Sequence, residues 1–270
     1  MSWARIMAPL TGGTHDIELL KYAAAIAAPF EAEVAGVHAP ADIADLMPWM
    51  GEGFMGGVQI TAMDSLKEAA AEGERAARAA CEGSGYARTT FVPLETPVWA
   101  GLSMEGRLSD VVVFDAEAAR GRGPLAEAFQ QIVADEQRPT IVARPGLKAD
   151  GVVAVAWDGG KEASRAARTA LPLLEKASRV VILAAPSASS RNFSAERLRA
   201  FFAERGVTAE VELITDGGDA APLLLAAAQK VSADILVAGA FGHPRLQEYI
   251  FGGTTRTLLN NDGPSLFLSH

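Results

Sequence analysis

The chain has 270 residues, of which 49% are hydrophobic and 21% are charged, a composition typical of a folded globular protein. Its formal net charge is -9, which argues against nucleic acid and anionic membranes as main partners, because both bind basic surfaces. The length suits one large domain or two of ordinary size.

Cysteine content and the first residues bear on the cellular compartment. Cys81 is the only cysteine, so a disulfide framework within the chain is excluded and a reducing cytoplasm is favoured. The sequence enters its first predicted strand without the features of a secretion signal. No apolar run approaches the roughly 18 residues that a membrane span needs. We therefore expect a soluble cytoplasmic protein without a membrane partner.

Two segments of the chain begin with the same succession of elements. Residues 4–10 predict a short apolar strand, which a Gly-Gly turn and a helix over 16–28 follow. Residues 152–157 predict a second strand of this kind, again followed by a Gly-Gly turn and then by a helix over 161–176. The chain therefore reads as two copies of one unit.

Later segments of the two copies also align. Residues 109–114 match 233–238, and residues 138–143 match 263–268. The separation of the matched segments shrinks along the chain, which indicates an insertion in the first copy. The segment 39–59, rich in Met, Trp and Gly, is the most obvious insertion.

Strands and helices are predicted to alternate within each copy. In the second copy we expect strands near 152–157, 179–185, 210–214, 234–239 and 265–269, and helices near 161–176, 194–205, 219–231 and 254–260. Apolar strands alternating with helices indicate a parallel sheet covered on both faces. We predict an α/β fold of two tandem doubly wound domains with flavodoxin-like layering, over 1–146 and 151–270, joined by a linker over 144–151.

A glycine-rich segment follows the predicted strand 234–239. Glycine lets the backbone approach a ligand closely, and a helix that begins after Gly252 and Gly253 offers free N–H groups to phosphate. The hydroxyls of Thr254 and Thr255 are further donors. Ligands of doubly wound sheets bind at the carboxyl ends of the strands, so Asp158 would face the same pocket if its strand neighbours 234–239. The sequence therefore predicts a phosphate-binding site.

The glycine spacing carries a resemblance to a known family. Gly239, Gly242 and Gly252 are separated by two and then nine residues, and Asp158 opens the second copy before two glycines. Over essentially its whole length, the second copy resembles the universal stress protein family, whose fold is adenine nucleotide alpha hydrolase-like. The chain departs from the family pattern at Gly253, where nucleotide-binding members carry Ser or Thr.

The resemblance implies that the second copy binds ATP or another adenine nucleotide, with magnesium as an optional companion. It implies that Asp158 lies near the adenine and ribose and that Leu183 and Ala184 line the adenine. The residues that it assigns to the ribose and phosphates are Gly239, Gly242, Gly252, Gly253 and Thr254, with Thr255 close by. The departure at Gly253 removes one hydroxyl contact but leaves a backbone N–H.

The first copy departs further from the same pattern. Thr11 stands where the second copy has Asp158, and residues 115–123 lack the glycine spacing. Asp115 and Glu117 would repel phosphate there. We expect this copy not to bind nucleotide in the same way.

Most of these signals have a second interpretation. The glycines can serve turns alone, and Asp158 can cap the following helix. His243 and Arg245, inside the glycine-rich segment, are candidates for phosphate contact, but both residue types are common on exposed loops and helix faces. The scattered histidines give no metal site.

The leading hypothesis is an ATP-binding regulatory protein of the stress response. No dedicated base or nucleophile accompanies the glycines, so catalysis beyond slow hydrolysis has no support. The alternative is an interaction protein of the same fold that binds no nucleotide and uses the loop 47–55 for an unknown protein partner. We also expect strands 139–143 and 265–269 to pair within the chain, with a homodimer left open.

Overall fold

The computed structural model describes residues 2–40, 57–95, 98–184, 194–215, 217–240 and 253–270. The strands are β1 (Arg5–Leu10), β2 (Glu33–His38), β3 (Thr89–Pro93), β4 (Val111–Asp115), β5 (Thr140–Ala143), β6 (Val152–Trp157), β7 (Arg179–Ala184), β8 (Ala209–Leu213), β9 (Ile235–Gly239) and β10 (Ser265–Ser269). The helices are α1 (Asp16–Ala27), α2 (Gly57–Glu82), α3 (Val98–Gly106), α4 (Ala116–Ala119), α5 (Ala126–Ala134), α6 (Lys161–Thr169), α7 (Leu171–Lys176), α8 (Ala195–Ala203), α9 (Ala220–Lys230) and α10 (Gly253–Asn260), with a 3-10 turn at Ala28–Phe30.

The described strands form a single sheet of ten in the order β3-β2-β1-β4-β5-β10-β9-β6-β7-β8. Neighbouring strands are parallel except at the centre, where β5 and β10 are antiparallel. Each half of the chain therefore contributes the same strand order, read from opposite edges. The predicted α/β fold with a mainly parallel sheet is confirmed.

An aspartate anchors the start of the central strand in each half. The Asp110 carboxylate accepts hydrogen bonds from the N–H groups of Ala4 and Arg5, at 2.7 and 2.9 Å. The Asp234 carboxylate accepts one from the N–H of Val152, at 2.8 Å. The segments that align in the sequence thus perform the same structural role in both halves.

The middle of the sheet joins the two halves. Ile141 of β5 is opposite Phe267 of β10, and both side chains are completely buried. Trp3, near the start of the chain, stacks on Phe267 with ring centroids 6.1 Å apart. The apolar layers on the two faces of the sheet each contain residues from both halves, so the core is continuous across this junction.

Two predicted boundaries differ from those observed. The helix predicted over 161–176 is interrupted at Ala170, because Pro172 in the first turn of α7 has no N–H to donate to the preceding turn. The segment 144–151 lacks regular structure, as a linker should, but Arg144, Leu147 and Ala149 in it are buried. It packs against the core and does not extend into solvent.

The inserted segment of the first half is only partly described. Helix α2 begins at Gly57, within the predicted insertion 39–59, and residues 41–56, which include the whole segment 47–55, lie outside the described residues. No helix in the described part of the chain combines the length and the hydropathy that crossing a membrane would require.

Candidate functional site

The winding direction of the second half changes between β6 and β9. These strands are parallel neighbours, with Val153 opposite Ile235 and Val155 opposite Val237, and each continues into a helix on the opposite face of the sheet. Connections at such a point diverge and leave a crevice at the carboxyl ends of the strands. A cavity of about 570 Å³ lies there, within the usual range for a small-molecule site.

The cavity brings together most of the described residues that the sequence selected. Asp158, Leu183, Gly239, Gly253, Thr254 and Thr255 line it. Ala184 is buried one position beyond Leu183 and is not part of the lining. Gly242, His243, Arg245 and Gly252 lie outside the described residues.

Asp158 shapes the turn between β6 and α6. Its carboxylate accepts a hydrogen bond from the N–H of Gly160 at 2.7 Å, and Gly159 between them adopts a left-handed conformation with φ of 78°. The bond closes the turn before α6 begins, so it differs from a cap on the helix itself. Asp158 is nevertheless exposed at the cavity.

Gly239 is required by the packing of α6. A Cβ atom at this position would lie 2.5 Å from the carbonyl carbon of Glu162 and 2.7 Å from the nitrogen of Ala163. The first turn of α6 therefore rests directly on the end of β9. This contact gives the glycine a structural role besides the close approach to a ligand that the sequence indicated.

The first turn of α10 forms another wall of the cavity. Gly253 and Thr254 are exposed, whereas Thr255 is buried. A Cβ atom at Gly253 would meet no atom of the described residues within 4 Å, so none of these residues closes this end of the helix. The first N–H groups of a helix have no partner within it, and the helix dipole places partial positive charge beside them.

Sequence reasoning missed the apolar side of the cavity. Trp157, Ile214, Leu223 and Leu224 line it, together with the loop that leads from β8 into α9. A glycine pair at 217–218, just before α9, also belongs to the lining. Like the pair Gly252 and Gly253, this pair precedes a helix, and it could have indicated this side of the cavity from the sequence. Glycines in ordinary turns give the same pattern, however.

Charged groups are few in the described lining. Asp158 and Glu162 are the two carboxylates, and no Lys, Arg or His belongs to the described part. Among the described residues no group of three or more His, Cys, Asp or Glu is arranged to hold a metal ion. An anionic ligand would therefore depend on helix N–H groups, on an accompanying cation, or on side chains of residues 241–252, which lie outside the described residues.

The matching turn in the first half is closed by a side chain of its own. Asp16, 2% exposed, accepts hydrogen bonds from the N–H groups of Thr11 at 3.0 Å and Gly12 at 2.8 Å. Gly12 also lies against Gly73 of α2, where a Cβ atom would collide with the helix backbone. The turn that is open to the cavity in the second half is here bonded to Asp16 and covered by α2.

The position of Gly239 is occupied by Asp115 in the first half. Asp115 ends β4 and accepts a hydrogen bond from the N–H of Ala118 at 2.8 Å, which caps α4. Glu117 beside it forms ion pairs with Arg120 and Arg122, at 3.3 and 3.2 Å. In the first half, therefore, the Asp115 carboxylate takes the place of a ligand at the start of the helix, and the nearby charged side chains pair with one another.

Comparison with known proteins places the second half in a family. Residues 151–261 match the family model described as the Universal stress protein family. The second half is a universal stress protein domain. Its matched region includes every described residue of the cavity lining, from Ala156 to Leu258. No curated protein matches the chain significantly in sequence.

Solved structures resemble the whole chain in fold. A universal stress protein from Archaeoglobus fulgidus has a TM-score of 0.71 and 14% identity, covering 98% of this chain and 95% of that one. A putative universal stress protein from Pseudomonas aeruginosa has a TM-score of 0.54 and 18% identity, over 99% and 93%. The cytoplasmic domain of a prokaryotic cation chloride cotransporter has a TM-score of 0.51 and 12% identity, over 99% and 95%. The likeness therefore extends to the first half at the level of fold.

Proposed function

We propose that the universal stress protein domain binds an adenine nucleotide, with ATP as the leading candidate, in the cavity beside β6, β9 and α10. The observation that supports this most is the convergence of Asp158, the end of β9 and the open first turn of α10 on one cavity. The first half has the same strand order, but Asp16 and Asp115 bond the corresponding turns there, so the observation specific to the second half is that these groups line an open cavity.

The two sides of the cavity suit the two parts of a nucleotide. Trp157, Leu183 and Ile214 offer an apolar surface for a flat base. Thr254 and the N–H groups at the start of α10 offer donors to phosphate. In this arrangement Asp158 accepts hydrogen bonds from ribose or base.

The charge of the lining bears on how phosphate is held. The described lining contains two carboxylates and no Lys, Arg or His, so we propose that magnesium accompanies ATP and that Arg245 adds positive charge. No described lining residue is a Cys, His or Lys. We accordingly propose a regulatory, ligand-binding role in the cytoplasmic stress response, with at most slow hydrolysis of ATP.

The first half is proposed to be a second copy of the fold, over 1–146, that does not hold nucleotide in this way. Asp16 bonds its first turn, and Asp115 occupies the place of Gly239. A single nucleotide site per chain follows.

A bulky residue in the open turn of α10 tests the proposal. Gly253→Trp adds its side chain where no described residue lies within 4 Å of the new Cβ, so the fold should be kept while the cavity is obstructed beside α10. Leu108→Trp is the matched control, because Leu108 is 78% exposed and is not part of the cavity lining. At saturating ATP and magnesium we expect a rise in melting temperature of about 5 °C or more for the control and the parent, and none for Gly253→Trp. An equal rise in all three would remove the cavity from consideration.

A further inference from the structure

The helix that lines the cavity with its first turn is held at its other end by the first half of the chain. Arg144 directly follows β5, and its guanidinium donates to the carbonyl oxygens of Leu258 at 2.7 Å and Pro264 at 2.8 Å. Leu258 lies near the end of α10, where carbonyl groups have no partner within the helix. A single side chain thus fixes both the end of α10 and the entry into β10.

A second arginine of the first half reaches the same place. Arg120 donates to the carbonyl oxygen of Leu259 at 3.3 Å and forms an ion pair with Asp262 at 3.0 Å. Two positive charges therefore surround the carboxyl end of α10, where the helix dipole carries partial negative charge. Lys or Arg at this end is stabilising for the same reason that anions are stabilising at the other end.

The burial of Arg144 shows that the contact is more than a surface ion pair. The residue is 5% exposed, and its guanidinium bonds only to carbonyl oxygens among the described residues. Its Nε atom is buried and has no hydrogen-bond partner in the described part of the chain. Burial, with the nearby charge of Arg120, lowers the pKa of Arg144, although a guanidinium stays protonated. Burying a charged guanidinium without a carboxylate partner is costly. An apolar side chain at this position would avoid that cost, so the presence of Arg144 points to a role for its hydrogen bonds.

We infer that Arg144 is a positioning residue for the cavity. By holding the carboxyl end of α10 from the first half, it keeps Gly253, Thr254 and Thr255 in place in the cavity wall. The first half then serves the site in the second half without touching the ligand. The identity of the ligand in this inference rests on the proposed function. The effect of Arg144 on the position of α10 does not.

Two measurements on the full chain separate these parts. The first is amide hydrogen exchange of the protein without ligand, and the second is calorimetric binding of ATP with magnesium. Arg144→Met keeps the length and apolar stem of the side chain but removes every donor. We expect the amides of residues 255–260 to exchange at least tenfold faster, those of β6 and β7 to be unchanged, and the dissociation constant for ATP to rise about tenfold.

Conservative and matched variants define the role. Arg144→Lys keeps the charge without the two-pronged donation and should restore part of both effects, which a loss of packing alone would not produce. Arg107→Met is the control, since Arg107 is exposed, pairs with Glu136 and does not contact α10. If Arg144→Met does not fold, the same two measurements are made on Arg144→Lys and Arg120→Gln, for which we expect smaller increases in the exchange of α10 and in the dissociation constant for ATP.

The outcomes for the positioning role and for nucleotide binding can be told apart. Unchanged exchange in α10 for the folded variants overturns the inference, and so does faster exchange with an unchanged ATP affinity. If the parent chain binds no ATP, the proposed function fails by itself. In that case exchange confined to α10 still supports the positioning role, and exchange raised uniformly across the second half overturns it.

Discussion

At the scale of single residues, the same residue type serves different ends in this chain. Gly239 belongs to the glycine spacing that the sequence associates with a nucleotide, yet the structure shows that α6 packs against it. Gly253, which lines the same cavity, has no described residue within 4 Å of where its Cβ would lie. Spacing alone could not distinguish them, because the distinction depends on which element approaches each glycine.

Gly239→Ala and Gly253→Ala should therefore have opposite effects on stability. The first places a methyl group 2.5 Å from the backbone of Glu162, so α6 must shift, and we expect a loss of about 1–3 kcal/mol. The second removes a flexible glycine from a helix without a collision and should be neutral or stabilise by up to about 1 kcal/mol. Urea denaturation of both variants measures the difference, and equal losses would show that α6 does not limit Gly239.

His38 at the end of β2 should make stability depend on pH. Burial lowers the pKa of His38 below its ordinary value of 6.5, and the charges of Asp16 and Glu74 oppose the shift only in part. The unfolded chain therefore takes up a proton first as the pH falls, and the free energy of unfolding decreases below about pH 6.5.

His38→Gln removes this titration, so the variant should lose less stability than the parent between about pH 7 and pH 5. Unfolding midpoints in urea across this range measure it, and the difference between the two proteins cancels other titrating groups. Parallel pH profiles would mean that His38 has the same pKa in the folded and unfolded chains.

At the scale of elements, the sequence predicted most of the second half. Apolar runs and glycine turns indicated all five of its strands within one or two residues, since buried parallel strands leave an unmistakable pattern. The break at Ala170 was missed although Pro172 marks it, because the amphipathic pattern continues through it. Apart from Leu183, the apolar wall of the cavity was missed for another reason: its side chains come from β6, the loop after β8 and α9, which only the fold assembles.

The two turns after β1 and β6 allow a matched test. Asp16 is buried and satisfies two N–H groups and a hydroxyl, whereas Asp158 is exposed and satisfies one described N–H group. Asp16→Ala leaves two partly buried N–H groups and a hydroxyl without their acceptor and should cost about 1–3 kcal/mol. Asp158→Ala should cost about 1 kcal/mol or less, since water replaces the lost acceptor. Thermal or urea unfolding of both variants measures the two losses of stability. A loss for Asp158→Ala as large as that for Asp16→Ala would show that the two aspartates stabilise their turns equally, contrary to this prediction.

At the scale of the whole molecule, the antiparallel pair β5–β10 makes one sheet from two halves. The sequence offered apolar residues at both strands, but the continuity of the core across them rests on side chains such as Trp3 and Phe267, which lie at opposite ends of the chain. The same junction carries Arg144, whose contacts reach α10. Stability and site geometry are therefore linked through the middle of the sheet.

Phe267→Ala should weaken both halves together. The side chain is completely buried, and its loss should cost about 3–5 kcal/mol. We expect hydrogen exchange to accelerate in β1 and β4 as well as in β6 and β9. Phe201→Ala, at a half-buried position beside Phe202 in α8, is the control and should have a smaller effect confined to the second half. Acceleration in the second half alone would show that the halves unfold independently.

The central claim is a single adenine nucleotide site in the cavity of the second half. Calorimetric titration of the nucleotide-free full chain with ATP and magnesium, with AMP as the comparison, tests it most directly. We expect saturable binding at about one site per chain, which is lost in Gly253→Trp and kept in Leu108→Trp. The absence of binding to the folded parent chain, or binding that Gly253→Trp leaves unchanged, would contradict it.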